Sequence, residues 1–118
     1  MLKLNFSFEE NYLAISANIS LESDKIYAIV GPSGAGKSTF LNLISGFSEI
    51  SSGSIFWNEQ EISDLSPSKR NISILFQDNN LFPHLSVWRN LALAVSQWPK
   101  VSNDDEAKLL SVISEVGI

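Results

Sequence analysis

The chain has 118 residues, room for one domain at most. An apolar share of 44% is that of a globular protein, and a net charge of −5 with its eight Lys and Arg scattered argues against a nucleic-acid partner. Cysteine is absent, which excludes disulfides and thiolate metal sites and fits a reducing compartment. The opening Met1-Leu-Lys-Leu-Asn-Phe-Ser-Phe8 has no signal-peptide hydrophobic region, and no apolar run of about 18 residues exists to span a membrane.

Leu2 to Phe8 alternates apolar and polar residues, the period of a half-buried strand, and Tyr12 to Leu21 repeats the pattern after a turn at Glu9-Glu10-Asn11. These two strands are expected to form an antiparallel addition to a parallel sheet. Ile26-Tyr-Ala-Ile-Val30 is a short apolar run of the kind that forms a buried strand. Phe40, Leu41, Ile44 and Phe47 predict one helical face, with Gly46 near its stop. Ser51-Ser-Gly-Ser54 reads as a turn and Ile55-Phe-Trp57 as a strand, followed by a tight turn at Asn58-Glu59. Ser63 to Asn71 is polar with Pro67 as a breaker, and Asn71-Ile-Ser-Ile-Leu-Phe76 is a further apolar strand that ends at the polar Gln77-Asp-Asn-Asn80. Ser86 caps a helix through Val87, Leu91 and Val95, and Pro99 separates it from the next segment. Ser102 with Asp104, Asp105 and Glu106 starts a last helix with Leu109, Leu110, Ile113 and Val116 on one face and Gly117 beginning its stop.

One stretch carries chemistry outright. Residues 31–39 read Gly31-Pro32-Ser33-Gly34-Ala35-Gly36-Lys37-Ser38-Thr39, and Gly31, Gly36, Lys37 and Ser38 fill every fixed position of the phosphate-binding loop G-x-x-x-x-G-K-[ST]. Glycines remove the Cβ atoms between backbone amides and phosphate, so successive N–H groups can form an anion nest. The following helix adds its free N–H groups and the positive end of its dipole. Lys37 is placed to reach the β- and γ-phosphates, Ser38 to bind Mg2+, and Thr39 to add an α-phosphate contact. A strand before and a helix after are the context this motif requires. The ligand implied is a nucleoside triphosphate with Mg2+, which the family resemblance below narrows to ATP.

About forty residues on comes Leu75-Phe-Gln-Asp-Asn-Asn-Leu-Phe-Pro-His-Leu-Ser-Val-Trp-Arg-Asn-Leu91. Together with the loop, this segment resembles the Q-loop region of ATP-binding-cassette (ABC) transporter ATPases, and the resemblance extends through Ser51-Ser-Gly-Ser-Ile55 and Pro67-Ser-Lys-Arg-Asn71 to nearly the whole chain. It implies an α/β fold, an ABC-type P-loop NTPase domain present in its N-terminal portion, with residues 1–77 in the core and 78–118 opening the helical subdomain. Within the family the chain looks most like the ATP-binding subunits of bacterial thiamine importers, and molybdate, iron(III) and sulfate importers share much of the pattern. The resemblance implies that Gln77 contacts Mg2+ or the attacking water and that Tyr12 is the candidate adenine-stacking residue. It implies a second ATP-binding subunit, transmembrane permease subunits near Phe82 to Leu85 and the helix from Ser86, and, indirectly, a periplasmic substrate-binding protein. The location implied is the cytoplasmic face of the inner membrane, held there by the permease. Two positions depart from the family pattern: Asp24 and Glu59 stand where glycines are usual, with Asn58 offering a substitute for the second. His84 is the only histidine and sits outside the position of the family's switch histidine.

ABC ATPases hydrolyse ATP as a head-to-tail dimer, each nucleotide held between one phosphate loop and the partner's Leu-Ser-Gly-Gly-Gln signature. This sequence contains no such signature, no second apolar strand ending in Asp-Glu and no late histidine. Lys37 and Gln77 are then the only catalytic-site residues expected here. Since positioning and electrostatics carry most of phosphoryl transfer, the chain by itself is expected to bind nucleotide without turning it over, and to be marginally stable because Ile26 to Val30 lacks a sheet neighbour. The alternatives are a non-catalytic truncated nucleotide-binding remnant, an importer subunit for another substrate, and a P-loop nucleotide kinase. The kinase reading is disfavoured by the two strands ahead of the loop.

Overall fold

The computed structural model describes residues 1–96 and 100–117. They form two units, the first Met1–Ile74 and the second from Leu75 onward. Among the described residues no helix is long and apolar enough to cross a membrane.

The first unit is built on an antiparallel sheet of order β2-β1-β3-β4. Strand β1 (Leu2–Glu10) turns through Asn11-Tyr12 into β2 (Leu13–Leu21), paired without interruption from Glu10 opposite Leu13 to Leu2 opposite Leu21. Asn11 supplies the left-handed backbone, φ 52°, that a two-residue hairpin needs. On the other side β1 pairs with β3 (Ser52–Trp57), which folds back into the short β4 (Gln60–Glu61). The alternation read from the sequence puts Leu4, Phe6 and Phe8 on the buried face. Helix α1 (Lys37–Ser45) closes this core with Leu43 and Ile44, and Ile55 and Ile62 complete it.

Several expectations change. The buried face of α1 is Leu43 and Ile44 with Phe40 half-buried, whereas Leu41 and Phe47 are exposed. The strand around Ile55 begins earlier, at Ser52, because Ser52 to Ser54 pair with Ser7 to Asn5 instead of turning. Neither Ile26–Val30 nor Asn71–Phe76 forms a strand. Neither run has a ladder partner among the described residues, and an apolar run becomes a strand only where another backbone meets its N–H and C=O groups. Asp24 and Asn58, at and beside the two positions where the family pattern has glycine, take left-handed φ values of 59° and 54°, which short Asp and Asn side chains tolerate.

Arg70 ties the first unit together. Its side chain is buried, and its fork donates from Nη1 to the carbonyls of Leu43 (2.9 Å) and Ile44 (2.8 Å), from Nε to Leu65 (2.8 Å) and from Nη2 to Ser63 (2.6 Å). Two of these carbonyls belong to the last turn of α1, where intrahelical partners run out and where α1 has no basic residue of its own. Burial lowers the pKa of the guanidinium, opposed by the nearby Asp64 carboxylate. Gly46 follows from this arrangement. It caps the helix at φ 86°, and a Cβ there would lie 2.6 Å from Arg70 Nε.

The second unit contains α2 (Val87–Ala92) and α3 (Asn103–Val116). Ser86 and Ser102 cap them as expected, their hydroxyls accepting from the N–H groups of Arg89 and Asp105. α2 ends at Ala92, short of Val95. Of the four residues expected on one face of α3, Leu109 is buried and Ile113 half-buried, while Leu110 and Val116 are exposed. Gly117 ends α3 in the left-handed conformation. Pro99, read as a separator, lies outside the described residues.

Candidate functional site

Residues 31–36 leave the unpaired Ile26–Val30 segment and enter α1 through a turn closed by the Ala35 N–H donating to the Pro32 carbonyl. Gly34 and Gly36 are left-handed, at φ 79° and 92°. For Gly36 there is a second reason. A Cβ at this position would sit 3.0 Å from Ile15 Cδ1 and 3.1 Å from Leu13 Cδ1, so any side chain there would have to push these two β2 side chains aside. The β1–β2 hairpin thereby sets the height of the loop over the sheet.

The loop and helix create a concentration of hydrogen-bond donors. Gly36 is the N-cap of α1 and makes no side-chain cap, and the first turn contains no acidic residue. The first intrahelical bond runs from the Phe40 N–H to the Gly36 carbonyl at 2.8 Å, which leaves the preceding N–H groups of the turn without intrahelical acceptors. Lys37 Nζ donates to the carbonyls of Gly31 and Pro32, each at 2.7 Å, and so rests against the loop. Ser38 is exposed and Thr39 half-buried. Uncapped amides, a positive dipole end and one ammonium, with no carboxylate in the turn, form a donor set that suits a polyphosphate. The exposed Ser38 hydroxyl is an oxygen ligand of the type Mg2+ takes. Tyr12 stands in the hairpin turn with its side chain fully exposed, next to Leu13, which contacts the loop.

Gln77 lies in the second unit, where it is exposed in a short loop. The residue that shapes this loop is Asn80. Its Oδ1 accepts from the Phe76 N–H at 2.8 Å and its Nδ2 donates to the Phe76 carbonyl, so one side chain satisfies both backbone groups of Phe76 and draws the loop closed around Gln77. Asn79 is left-handed within it, φ 60°. Asn90 does similar work further on. Its Oδ1 accepts from the Phe82 N–H (2.8 Å), and its Nδ2 donates to the carbonyls of Phe82 (3.1 Å), Leu85 (3.3 Å) and Ser86 (3.0 Å). It fastens Phe82 to Ser86 onto the start of α2. Phe82 packs edge-on against His84, ring centroids 5.9 Å apart, and Leu81, Phe82, Val87 and Trp88 all remain exposed.

Sequence reading missed Arg70, Asn80 and Asn90 as structural agents. The asparagines had a readable signal: each sits a few residues from backbone that no helix or strand serves, and a side-chain amide can supply both a donor and an acceptor. Arg70 had a weaker one, an arginine in a polar linker following a helix with no basic last turn.

Comparison with known proteins places the site in a wider group. The family model described as ABC transporter matches residues 15–118. The Thiamine import ATP-binding protein ThiQ of Histophilus somni is 40% identical over 118 residues, covering 100% of this chain and 55% of that protein. The ThiQ of Brucella suis is 41% identical over 115 residues, covering 98% of this chain and 47% of its own length. The chain thus spans about half the length of the curated relatives it matches. A solved ATP-binding cassette, described as a dimeric post-hydrolysis state bound to ADP and Pi, superimposes with a TM-score of 0.71 over 97% of this chain and 56% of its own, at 22% identity, which shows a shared fold.

Proposed function

This chain belongs to the ABC transporter family, and on that basis we propose that it is the nucleotide-holding portion of a bacterial importer's ATP-binding subunit, with thiamine as the imported substrate. The observation that carries the reading is the loop at Gly31–Thr39, where uncapped amides at the start of α1 and the Lys37 ammonium meet with no opposing carboxylate. In this reading the amides from Gly31 to Thr39, Pro32, Ser33 and Ala35 included, cradle the phosphates and Lys37 bridges the terminal ones. Ser38 and Gln77 hold Mg2+, which when bound neutralises phosphate charge. Tyr12 stacks on the adenine. Residues 1–77 serve as core and 78–118 open the helical subdomain.

The names of the relatives support thiamine. A second ATP-binding subunit faces this one head to tail, and the motor acts on the cytoplasmic face of the inner membrane. The exposed Leu81, Phe82, Val87 and Trp88 form the surface for the permease, which pairs in turn with a periplasmic binding protein. Asn80 and Asn90 hold that surface in shape.

Equilibrium dialysis of the chain with labelled ATP and Mg2+ tests the loop. Lys37→Ala removes a charge-assisted contact, and affinity should fall about 10- to 100-fold. Unchanged affinity would remove the basis of the reading. Disruption of the gene in its host should abolish labelled thiamine uptake while sparing uptake of molybdate, iron(III) and sulfate.

A further inference from the structure

Among the described residues strand β2 is the outer edge of the sheet, bonded to β1 on one side only. Its nine residues, Leu13-Ala-Ile-Ser-Ala-Asn-Ile-Ser-Leu21, contain no charge, no proline and no glycine, and the pairing with β1 runs its full length without a bulge. Soluble proteins normally blunt such an edge with lysine, proline or a bulge, because its free N–H and C=O groups are a template for another strand.

The phase of those free groups is determined. The two-residue turn makes Glu10 and Leu13 a mutually hydrogen-bonded pair. The same phase appears across the sheet, where the carbonyls of Met1 and Ser7 accept from Asn58 and Ser51 on the β3 side, so the even-numbered residues of β1 are the ones bonded to β2. In β2 the odd residues therefore bond β1, and the backbone groups of Ala14, Ser16, Asn18 and Ser20 point outward.

The strand is also self-complementary about Ala17. Leu13 mirrors Leu21, Ile15 mirrors Ile19, Ser16 mirrors Asn18 and Ala14 mirrors Ser20. A two-fold axis at Ala17 would set two copies of β2 antiparallel. Ser16 would then oppose Asn18 of the second copy and Ala14 would oppose Ser20, and these are the residues whose N–H and C=O groups point outward. Ala17 would meet its own copy in a non-hydrogen-bonded pair. A slip by one residue would put the outward groups out of phase and turn the apolar face over. The register also accounts for Ile19. It is 47% exposed while Leu13, Ile15, Ala17 and Leu21 pack against the core, and it would lie beside Ile15 of the second copy.

We infer that β2 pairs edge to edge with β2 of a second copy of this chain, joining two four-stranded sheets into one continuous antiparallel sheet. The contact uses no part of the phosphate loop, so it is separate from the nucleotide-holding dimer proposed above and requires no ATP.

The absence of cysteine makes the test direct. Across a non-hydrogen-bonded antiparallel pair the Cα atoms are about 4.5 Å apart, within reach of a disulfide. Mild oxidation of the full chain carrying Ala17→Cys should give a cross-linked dimer. Ser20→Cys should not, since two copies of that residue would lie about 20 Å apart along the strands. Linking should be unchanged by ATP and by Lys37→Ala, which distinguishes failure here from failure of the nucleotide reading. The double variant Ser16→Lys/Asn18→Lys places lysines opposite lysines on the solvent face and should weaken the dimer at least ~10-fold in sedimentation. Mixing it with Ser16→Glu/Asn18→Glu should restore a heterodimer. Equal linking at residues 17 and 20, no linking at 17, or a dimer indifferent to both charge variants would each overturn the inference, the last pointing to another surface or another occupant of the edge.

Discussion

Strand β1 and the segment Ile26–Val30 both carry the apolar pattern of a strand, one alternating and one continuous, and end in different states. Leu4, Phe6 and Phe8 are 1%, 4% and 7% exposed, whereas Ile26 and Val30 are 101% and 92% exposed. β1 finds its first partner through a two-residue turn and its second in β3. Ile26–Val30 carries the continuous apolar pattern of a strand covered on both faces, and parallel partners reach such a strand only through long crossovers. Among the described residues no strand lies beside it. The contrast teaches that apolar pattern is permission to form a strand and a hydrogen-bonding neighbour is the cause.

That comparison can be broken by mutation, starting with the strongest effect. Ile55 is fully buried, so Ile55→Ala should cost about 2–5 kcal/mol in urea unfolding. Arg70→Ala should cost about 1.5–3 kcal/mol by leaving the carbonyls of Leu43 and Ile44 short of donors, and Arg70→Lys should recover only part, because a point ammonium cannot span four carbonyls as a fork does. Ser102→Ala removes the cap of α3 and should cost about 1 kcal/mol, read as lost helical circular dichroism. Ile26→Ala should stay within about 0.5 kcal/mol despite removing the same atoms as Ile55→Ala. A large loss there would mean that the segment is covered in solution and that the contrast with β1 is false.

Much of the local structure was legible. The alternation in Leu2–Phe8 and Tyr12–Leu21 predicted β1 and β2, Ser86 and Ser102 marked their helix starts, and Gly46 and Gly117 marked stops. These are short-range effects, set by residues a few positions apart. The face of α1 was misread because Leu41 and Phe47 fit the helical period as well as Leu43 does, and only the position of the sheet selects between them. Asn80 and Asn90 were visible as polar residues, but their bonds to Phe76 and Phe82 depend on how the loops close.

By itself the sequence determined that residues 31–39 match a phosphate-binding motif, because a motif of contiguous residues is read without knowing the fold. Tertiary structure decided what the loop rests on. Gly36 lies against Leu13 and Ile15, and α1 is anchored at its far end by Arg70 from a distant linker. Those contacts join residues more than twenty positions apart. Their partners are chosen by packing in three dimensions, which no periodicity along the chain records.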